Sequence, residues 1–201
     1  MTYGQVKRAA LRLINASTVS GSEIPLGYNG QADLVKAMPS LVDDAVMQIA
    51  TTVKKLPAAV PLSSLESAPN GLYVLPADCW RVKAGGLLLP ESGQRFRDVR
   101  LLGRQLWLKN APEGLWLEYW RYPQPVGSAP ADDAPLDNTP DTHTAVPWFV
   151  ASQLVLYDDP YRYAALHNEW EARLRRLSES VTAEREPIGD AYAGFACGGD
   201  W

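Results

Sequence analysis

An acidic segment with one histidine is the first part of this sequence where residue types suggest chemistry. Its ionisable residues are Asp132, Asp133, Asp137, Asp141 and His143. Carboxylate oxygens and an imidazole nitrogen could together ligate a metal ion. The segment lacks the glycine-pivoted acidic spacing by which a calcium loop turns around its ion. The sequence therefore favours a solvated acidic connector, and it predicts no metal site and no cofactor.

Histidine and cysteine chemistry has little support. His143 and His167 are the two histidines of the chain, and His167 lies within a helical pattern, where an ordinary helix-face role is expected. Cys79 stands at an apolar strand entry, which favours burial over nucleophilic activation. Cys79 and Cys197 belong to no metal-ligand spacing, which fits a reducing cytosol. The common nucleotide-binding, serine hydrolase and zinc protease motifs do not occur, so we predict that the protein is not an enzyme.

Two groups of basic residues are candidates for contact with DNA or with an acidic partner. One group alternates with apolar residues in a predicted β region, and the other lies on a predicted amphipathic helix. The first group is Arg95, Arg97, Arg100 and Arg104, and the second is Lys7, Arg8 and Arg12. The net charge of −4 gives no global argument for nucleic-acid binding. A solvated charged face is the alternative for both groups.

Tryptophans in the middle of the chain suggest a second kind of binding. Trp107, Trp116 and Trp120 lie in short segments of alternating polarity. Their indole rings could form a platform on which sugars or bases stack, although core and interface packing is the commoner role. A carbohydrate-binding module that uses these three residues is therefore an alternative from a different functional class.

The surrounding periodicity predicts helices at both ends of the chain and strands between them. Thr2 and Gln5 match a capping box before a short amphipathic helix that ends near Ser17. A second helix is expected to start near Pro39, after a turn at 32–36, and to end before Pro57. Alternating residues then predict short antiparallel strands at 71–75, 80–83, 106–109 and 115–120. Prolines and aspartates without periodicity predict an extended connection at 124–144.

A pair of antiparallel helices is predicted near the end of the chain. Asp159 offers a carboxylate to the free N–H groups of a helix start, and Pro160 suits the first helical position. In the second helix, an apolar stripe should face a core, and acid-first ion pairs should face water. The stripe comprises Tyr163, Leu166, Trp170, Leu174, Leu177 and Val181, and the pairs are Glu169/Arg173 and Glu171/Arg175.

Together these elements predict a mainly α fold, a four-helix bundle-like frame with an inserted small antiparallel β subdomain and an extended C-terminal arm. Residues 1–186 would form one domain, with the frame at 1–56 and 144–186, the β insertion at about 57–125 and the acidic loop at about 124–144. Residues 187–201 would form a flexible arm whose aromatic side chains need a partner. Without a secretion signal or an apolar run of about 20 residues, we expect the whole chain to be the mature protein, made without export.

The order of these segments resembles the head-to-tail adaptor (connector) proteins of tailed bacteriophages. The likeness extends over residues 2–186 and includes the N-terminal helix. Its other parts are SLVDDAVMQIATTVKKLPA, LPADCWRVKAG, LWLEYWRYPQP leading into the acidic loop, and AVPWFVASQLVLYDDPYRYAALHNEWEARLRRL. None of these segments is a catalytic signature.

The resemblance implies a virion structural protein at the head-tail junction, made in the host cytoplasm. As the resemblance implies, many copies would form a ring, a dodecamer, that joins the portal protein to the tail or a tail-terminator/stopper protein. The arm matches by position the segment that docks on the portal, and its apolar contacts would be Ile188, Tyr192, Phe195 and Trp201. The channel of the ring would present basic residues to packaged DNA without sequence preference. These are Lys7, Arg8, Arg12, Arg95, Arg97 and Arg100.

Three alternatives remain open beside the adaptor. A tail-completion or terminator protein would bind the tail tube as a hexameric ring. A carbohydrate-binding module would quench its tryptophan emission on titration with sugars. An enzyme that uses the acidic loop, His143 and a metal would lose activity with a chelator. No membrane partner is expected for the adaptor.

Overall fold

The chain alternates from helices to strands and back to helices. In this computed structural model, residues 1–15, 29–68, 71–96, 99–108 and 111–183 are described, with only the backbone described at 29–32 and 180–183. The helices are α1 (Tyr3–Leu13), α2 (Asn29–Thr52), α3 (Val146–Val155) and α4 (Pro160–Ala183). Short 3₁₀ turns lie at Leu62–Ser64 and Pro140–Thr142.

The strands form two antiparallel sheets of four strands each. They are β1 (Leu56–Pro61), β2 (Ser67–Ala68), β3 (Leu72–Val74), β4 (Cys79–Leu89), β5 (Gln94–Phe96), β6 (Arg100–Leu102), β7 (Gln105–Trp107) and β8 (Trp116–Arg121). The first sheet has the order β1-β8-β4-β5, and the second has the order β2-β3-β7-β6. One apolar cluster joins both sheets, since it includes Leu106 of β7 and Leu117 of β8, each without exposed surface.

The prediction of a mainly α, four-helix bundle-like frame is wrong. The structure is 43% helical and 25% strand, with two four-stranded antiparallel sheets, and is therefore a mixture of α and β elements. In the second sheet, β3 and β7 overlap the predicted strands at 71–75 and 106–109, whereas β2 and β6, which span two and three residues, were not predicted. Alternation needs about four residues before it separates a strand from a turn.

The helices enclose a separate apolar core. It includes Met38, Val42 and Ile49 of α2 and Val150 of α3, all almost completely buried. Trp170 of α4 is 1% exposed, and its ring centroid lies 5.2 Å from that of Phe149. From Tyr163 to Leu177 the predicted apolar stripe of α4 therefore faces a core, and the side chain of Val181 lies outside the described residues. Leu174 and Leu177 pack against the edge of the same cluster.

Local signals at two helix starts are confirmed. The Thr2 N–H donates to Gln5 Oε1 at 3.0 Å, as a capping box requires. At the second start, Asp159 Oδ1 accepts the Arg162 N–H at 3.0 Å, and Pro160 is the first residue of α4.

Three local predictions are wrong. α1 ends at Leu13, ahead of the expected Ser17, and the following Asn15 has a left-handed φ of 57°. α2 begins at Asn29 and contains Pro39 in its interior. A proline there costs about 3 kcal/mol, but Pro39 and the preceding Met38 are buried, so packing offsets the lost hydrogen bond. The predicted ion pair between Glu171 and Arg175 does not form, because Glu171 lies 3.5 Å from His167 instead. Within the described part of α4, the predicted pair of Glu169 and Arg173 does form, at 3.0 Å.

Candidate functional site

The acidic connector holds separate elements together. Lys7 of α1 donates to Asp132 at 2.9 Å, and Lys54, just after α2, donates to Asp141 at 2.6 Å. Because each carboxylate points to a different cation, they do not converge on one ion. Across the ranges that the structure describes, no group of three or more histidine, cysteine and acidic side chains has the arrangement of a metal site.

Asp137 forms the most extensive of these contacts. The guanidinium of Arg121, the last residue of β8, donates to both carboxylate oxygens of Asp137. Its Nη1 contacts Oδ2, and its Nη2 lies 2.6 Å from Oδ1. The Gln124 N–H also donates to Asp137, at 2.6 Å. The Arg121 hydrogen bond holds the pKa of Asp137 below its usual value. The pair therefore fixes the connector to the first sheet as a charge-assisted, two-pronged contact.

A further carboxylate ties the connector to α2. Asp43 Oδ1 accepts the Val126 N–H at 2.7 Å. Burial raises the pKa of Asp43, and this hydrogen bond opposes that increase. The connector is thus anchored to α1, to the end and the middle of α2, and to β8.

The two histidines have different surroundings. His143 Nδ1 lies 2.8 Å from the Met1 nitrogen, and burial lowers the pKa of this histidine. His167 stacks on Tyr163 with ring centroids 5.2 Å apart, in agreement with the predicted helix-face role. Neither histidine joins a described cluster of potential metal ligands.

The predicted basic residues have unequal environments. Lys7 is paired with Asp132, and Arg95 donates to Glu118 at 2.9 Å and to the Gly85 carbonyl at 2.8 Å. The Arg100 guanidinium lies 5.7 Å from the centre of the Trp107 ring. Arg8 and Arg12 lie on α1, and Arg12 borders an apolar cavity of about 420 Å³ beside Trp148.

Some predicted contact residues cannot be placed. Arg97 and the proposed portal-docking residues lie outside the described residues, and the latter are Ile188, Tyr192, Phe195 and Trp201. Arg104, the remaining basic candidate, donates to the backbone carbonyls of Pro76 and Ala77 at 2.8 and 3.2 Å. Its guanidinium therefore supports the turn before β4.

A cleft with three cations lies where the two sheets meet, and we call it the basic cleft. Its volume is about 490 Å³, and residues of β4, β6, β7 and β8 line it. Its charged residues are Lys55, Arg81 and Lys83, and its other walls include Val82, Leu101 and Trp120. None of its described lining residues is acidic. Walls of low polarity around charges of one sign concentrate the electrostatic potential inside a cleft.

Strand pairing places these cations around Trp120. Arg81 pairs in register with Trp120, and Lys55 immediately precedes β1, whose Pro57 is the partner of Trp120 on the other side. Between Val82 and Leu87 the register of β4 against β8 shifts, so that Lys83 lies in a bulged segment. A Cβ at Gly86 in this bulge would approach the Glu118 carbonyl to 2.4 Å. The bulge therefore requires glycine.

The lysines of the basic cleft contact tryptophan faces. Lys83 Nζ lies 4.6 Å from the centre of the Trp120 ring, and Lys55 Nζ lies 5.8 Å from it and 5.6 Å from the Trp80 ring. Such cation–π contacts hold each ammonium group in place without neutralising it. Considering only described partners, the side chains of these lysines and of Arg81 form no ion pair and no hydrogen bond. The cleft therefore offers three unpaired cations to an anionic ligand.

The tryptophans of the predicted stacking platform are divided between the sheets. Trp107 belongs to β7 of the second sheet, whereas Trp116 and Trp120 belong to β8 of the first. The rings of Trp107 and Trp120 lie under Arg100 and under the cleft lysines, respectively. Cations therefore lie over the rings of two of the three tryptophans, while Trp116 is 37% exposed.

Sequence reasoning missed the basic cleft. The alternating stretch Trp80 to Lys83 is a weak signal of cations on one strand, but Lys55 joins them only through the pairing of β1, β8 and β4. No protein-family model and no curated protein matches this chain with significance. Of the helices that the structure describes, none combines the length and the apolar character needed to cross a lipid bilayer.

Proposed function

We propose that the protein is a non-enzymatic virion structural protein, a head-to-tail adaptor whose ring joins the portal to the tail and extends the DNA channel. The observation that carries this proposal is the anchoring of the acidic connector to helices and sheet alike. A ring subunit has to keep its parts in one relative position while neighbours bind to several of its faces. Ion pairs from α1, from Lys54 just after α2 and from β8 to one connector support such rigidity.

The segment order supports the same role. The helices at both ends, the strands between them and the acidic connector follow the order on which the resemblance to phage adaptors rests. The β part is larger than expected, with two sheets in place of a small insertion. We therefore base the proposal on the order of the segments and on the connector, without assuming a helical bundle.

Contact with packaged DNA belongs to a subset of the predicted basic residues. Lys7 and Arg95 are already neutralised by Asp132 and Glu118. Arg8, Arg12 and Arg100 have no ion-pair partner among the described residues. We assign the non-specific phosphate contacts of the channel to these three arginines.

Deletion of residues 188–201 tests the docking part of the proposal. We expect the shortened protein to keep its circular dichroism spectrum and melting temperature while its binding to purified portal rings, measured by biolayer interferometry, is abolished. A matched control replaces the same residues with a glycine-serine segment of equal length, and it should also fail to bind. Undiminished portal binding by either variant would contradict the assignment of the arm.

A further inference from the structure

The turn between α3 and α4 carries an exposed surface that we call the acidic tip, residues 157–161. Tyr157 is 92% exposed and Tyr161 is 91% exposed, and Asp158 and Asp159 between them are exposed as well. Tyrosine is enriched at protein interfaces, where its ring adds buried area at a low cost in conformational entropy. The acidic tip therefore has both the aromatic surface and the negative charge of a binding segment.

The acidic tip and the basic cleft are complementary in charge and in polarity. The cleft supplies Lys55, Arg81 and Lys83 against the two aspartates, and Val82 and Leu101 offer apolar surface to the tyrosine rings. Its volume of about 490 Å³ is in the range of pockets that enclose a few side chains. Leu101 is 54% exposed, so part of the apolar wall is open to a partner.

The arrangement around Trp120 favours a peptide over a nucleic acid. Single-stranded nucleic acids gain much of their affinity when bases stack on open aromatic faces. Lys55 and Lys83 lie over the Trp120 ring, where a base would have to stack. Carboxylates need only the ammonium and guanidinium groups, which remain unpaired among described residues.

The acidic tip does not lie in the cleft of its own molecule, because its tyrosines are almost fully exposed in the single chain. We propose that the acidic tip of one copy binds in the basic cleft of the next copy. Such a contact joins two different surfaces, so it repeats from copy to copy and produces a closed ring or a filament. This inference rests on the ring-forming role proposed above, and it names the surfaces that build the ring.

Charge reversal tests this contact in the purified full-length protein. Asp158→Lys replaces one of the two negative charges of the tip with a positive charge and keeps Asp159, whose carboxylate caps α4. Arg81→Glu combined with Lys83→Glu reverses the charge of the cleft. Each variant alone should raise the protein concentration needed for self-association by about tenfold or more, as measured by sedimentation velocity. Glu91→Lys and Arg176→Glu, at other exposed positions, are the matched controls and should associate like the wild type.

Mixing the tip variant with the cleft variant gives the decisive result. In an equimolar mixture, the lysine tip faces the glutamate cleft and the remaining wild-type tip faces the wild-type cleft, so alternating assemblies should recover. Absence of recovery, or a wild-type protein that stays monomeric at every soluble concentration, would overturn the proposal. The proposal would also fail if the cleft variant lost its binding to a short DNA duplex while its self-association stayed at the wild-type level. Because no portal protein is used, a negative result here is separate from a failure of arm docking.

Discussion

Arg121 and Asp137 form a two-pronged ion pair that requires the Asp137 carboxyl group to be ionised. The pair is about three-quarters buried on both sides, and the Arg121 hydrogen bond lowers the pKa of Asp137. A carboxyl group whose pKa is lower in the folded state stabilises the fold above its unfolded pKa. That stability is lost as the pH falls through the folded pKa.

We therefore predict that Arg121→Met lowers the free energy of unfolding by about 2 kcal/mol at neutral pH, the scale of a hydrogen bond to a charged group. The difference between variant and wild type should shrink as the pH falls below the ordinary aspartate value of 3.8. Urea unfolding across this pH range measures both effects. Arg100→Met, at an exposed arginine, is the control. A pH-independent difference would show that the charge pair is not its source.

Trp170 shows how one side chain determines the helical core. It is 1% exposed and contacts Phe149, so truncation would leave a large cavity. Trp170→Ala should lower the free energy of unfolding by about 3–5 kcal/mol. Tyr161→Ala on the same helix, 91% exposed, should change it by less than about 0.5 kcal/mol. Equal losses in chemical denaturation would contradict the assignment of the α4 stripe to the core.

At the scale of elements, the bulge of β4 determines the shape of the basic cleft. Gly86 has no room for a Cβ because the Glu118 carbonyl would lie 2.4 Å away and the Lys83 carbonyl 2.7 Å away. Both obstacles are backbone atoms, which cannot move without disturbing the pairing of β4 with β8. The glycine therefore couples the sheet register to the position of Lys83.

This geometry predicts that Gly86→Ala destabilises the protein more than Gly103→Ala does. Gly103 has a φ of +62° but no atom within 4 Å of an added Cβ, so its substitution costs only about 1–2 kcal/mol of backbone strain. For Gly86→Ala we expect a loss larger than that of the control, with a displaced Lys83. Thermal unfolding measures the ranking. The reverse order would mean that the bulge accommodates a side chain.

The elements differ in how far their own residues determine them. The break at Asp159 and Pro160 is predictable because both act within one turn. The start of α2 at Asn29 is not predictable from local sequence, because Pro39 stays inside the helix through packing against the rest of the protein. β2 and β6 are too short for alternation to identify them, whereas β3 and β7 overlap alternating segments that predict strands. The basic cleft was missed because strand pairing unites cations that are distant in sequence.

At the scale of the whole molecule, the connector links the parts of the subunit that hold its two separate apolar cores. One core lies among the helices and the other between the sheets. The connector crosses from β8 to α3 and pairs on its way with α1, α2 and β8. Anchoring at several points suits a subunit that must keep its parts in one relative position while neighbours bind. The adaptor proposal rests on this anchoring.

The copy number of this chain in purified tailed virions that encode it tests the adaptor proposal most directly. Quantitative mass spectrometry would set its amount against that of the portal protein. The adaptor predicts a ratio near one to one. A ratio near one half would favour a hexameric tail terminator, and absence of the chain from virions would contradict the structural role altogether.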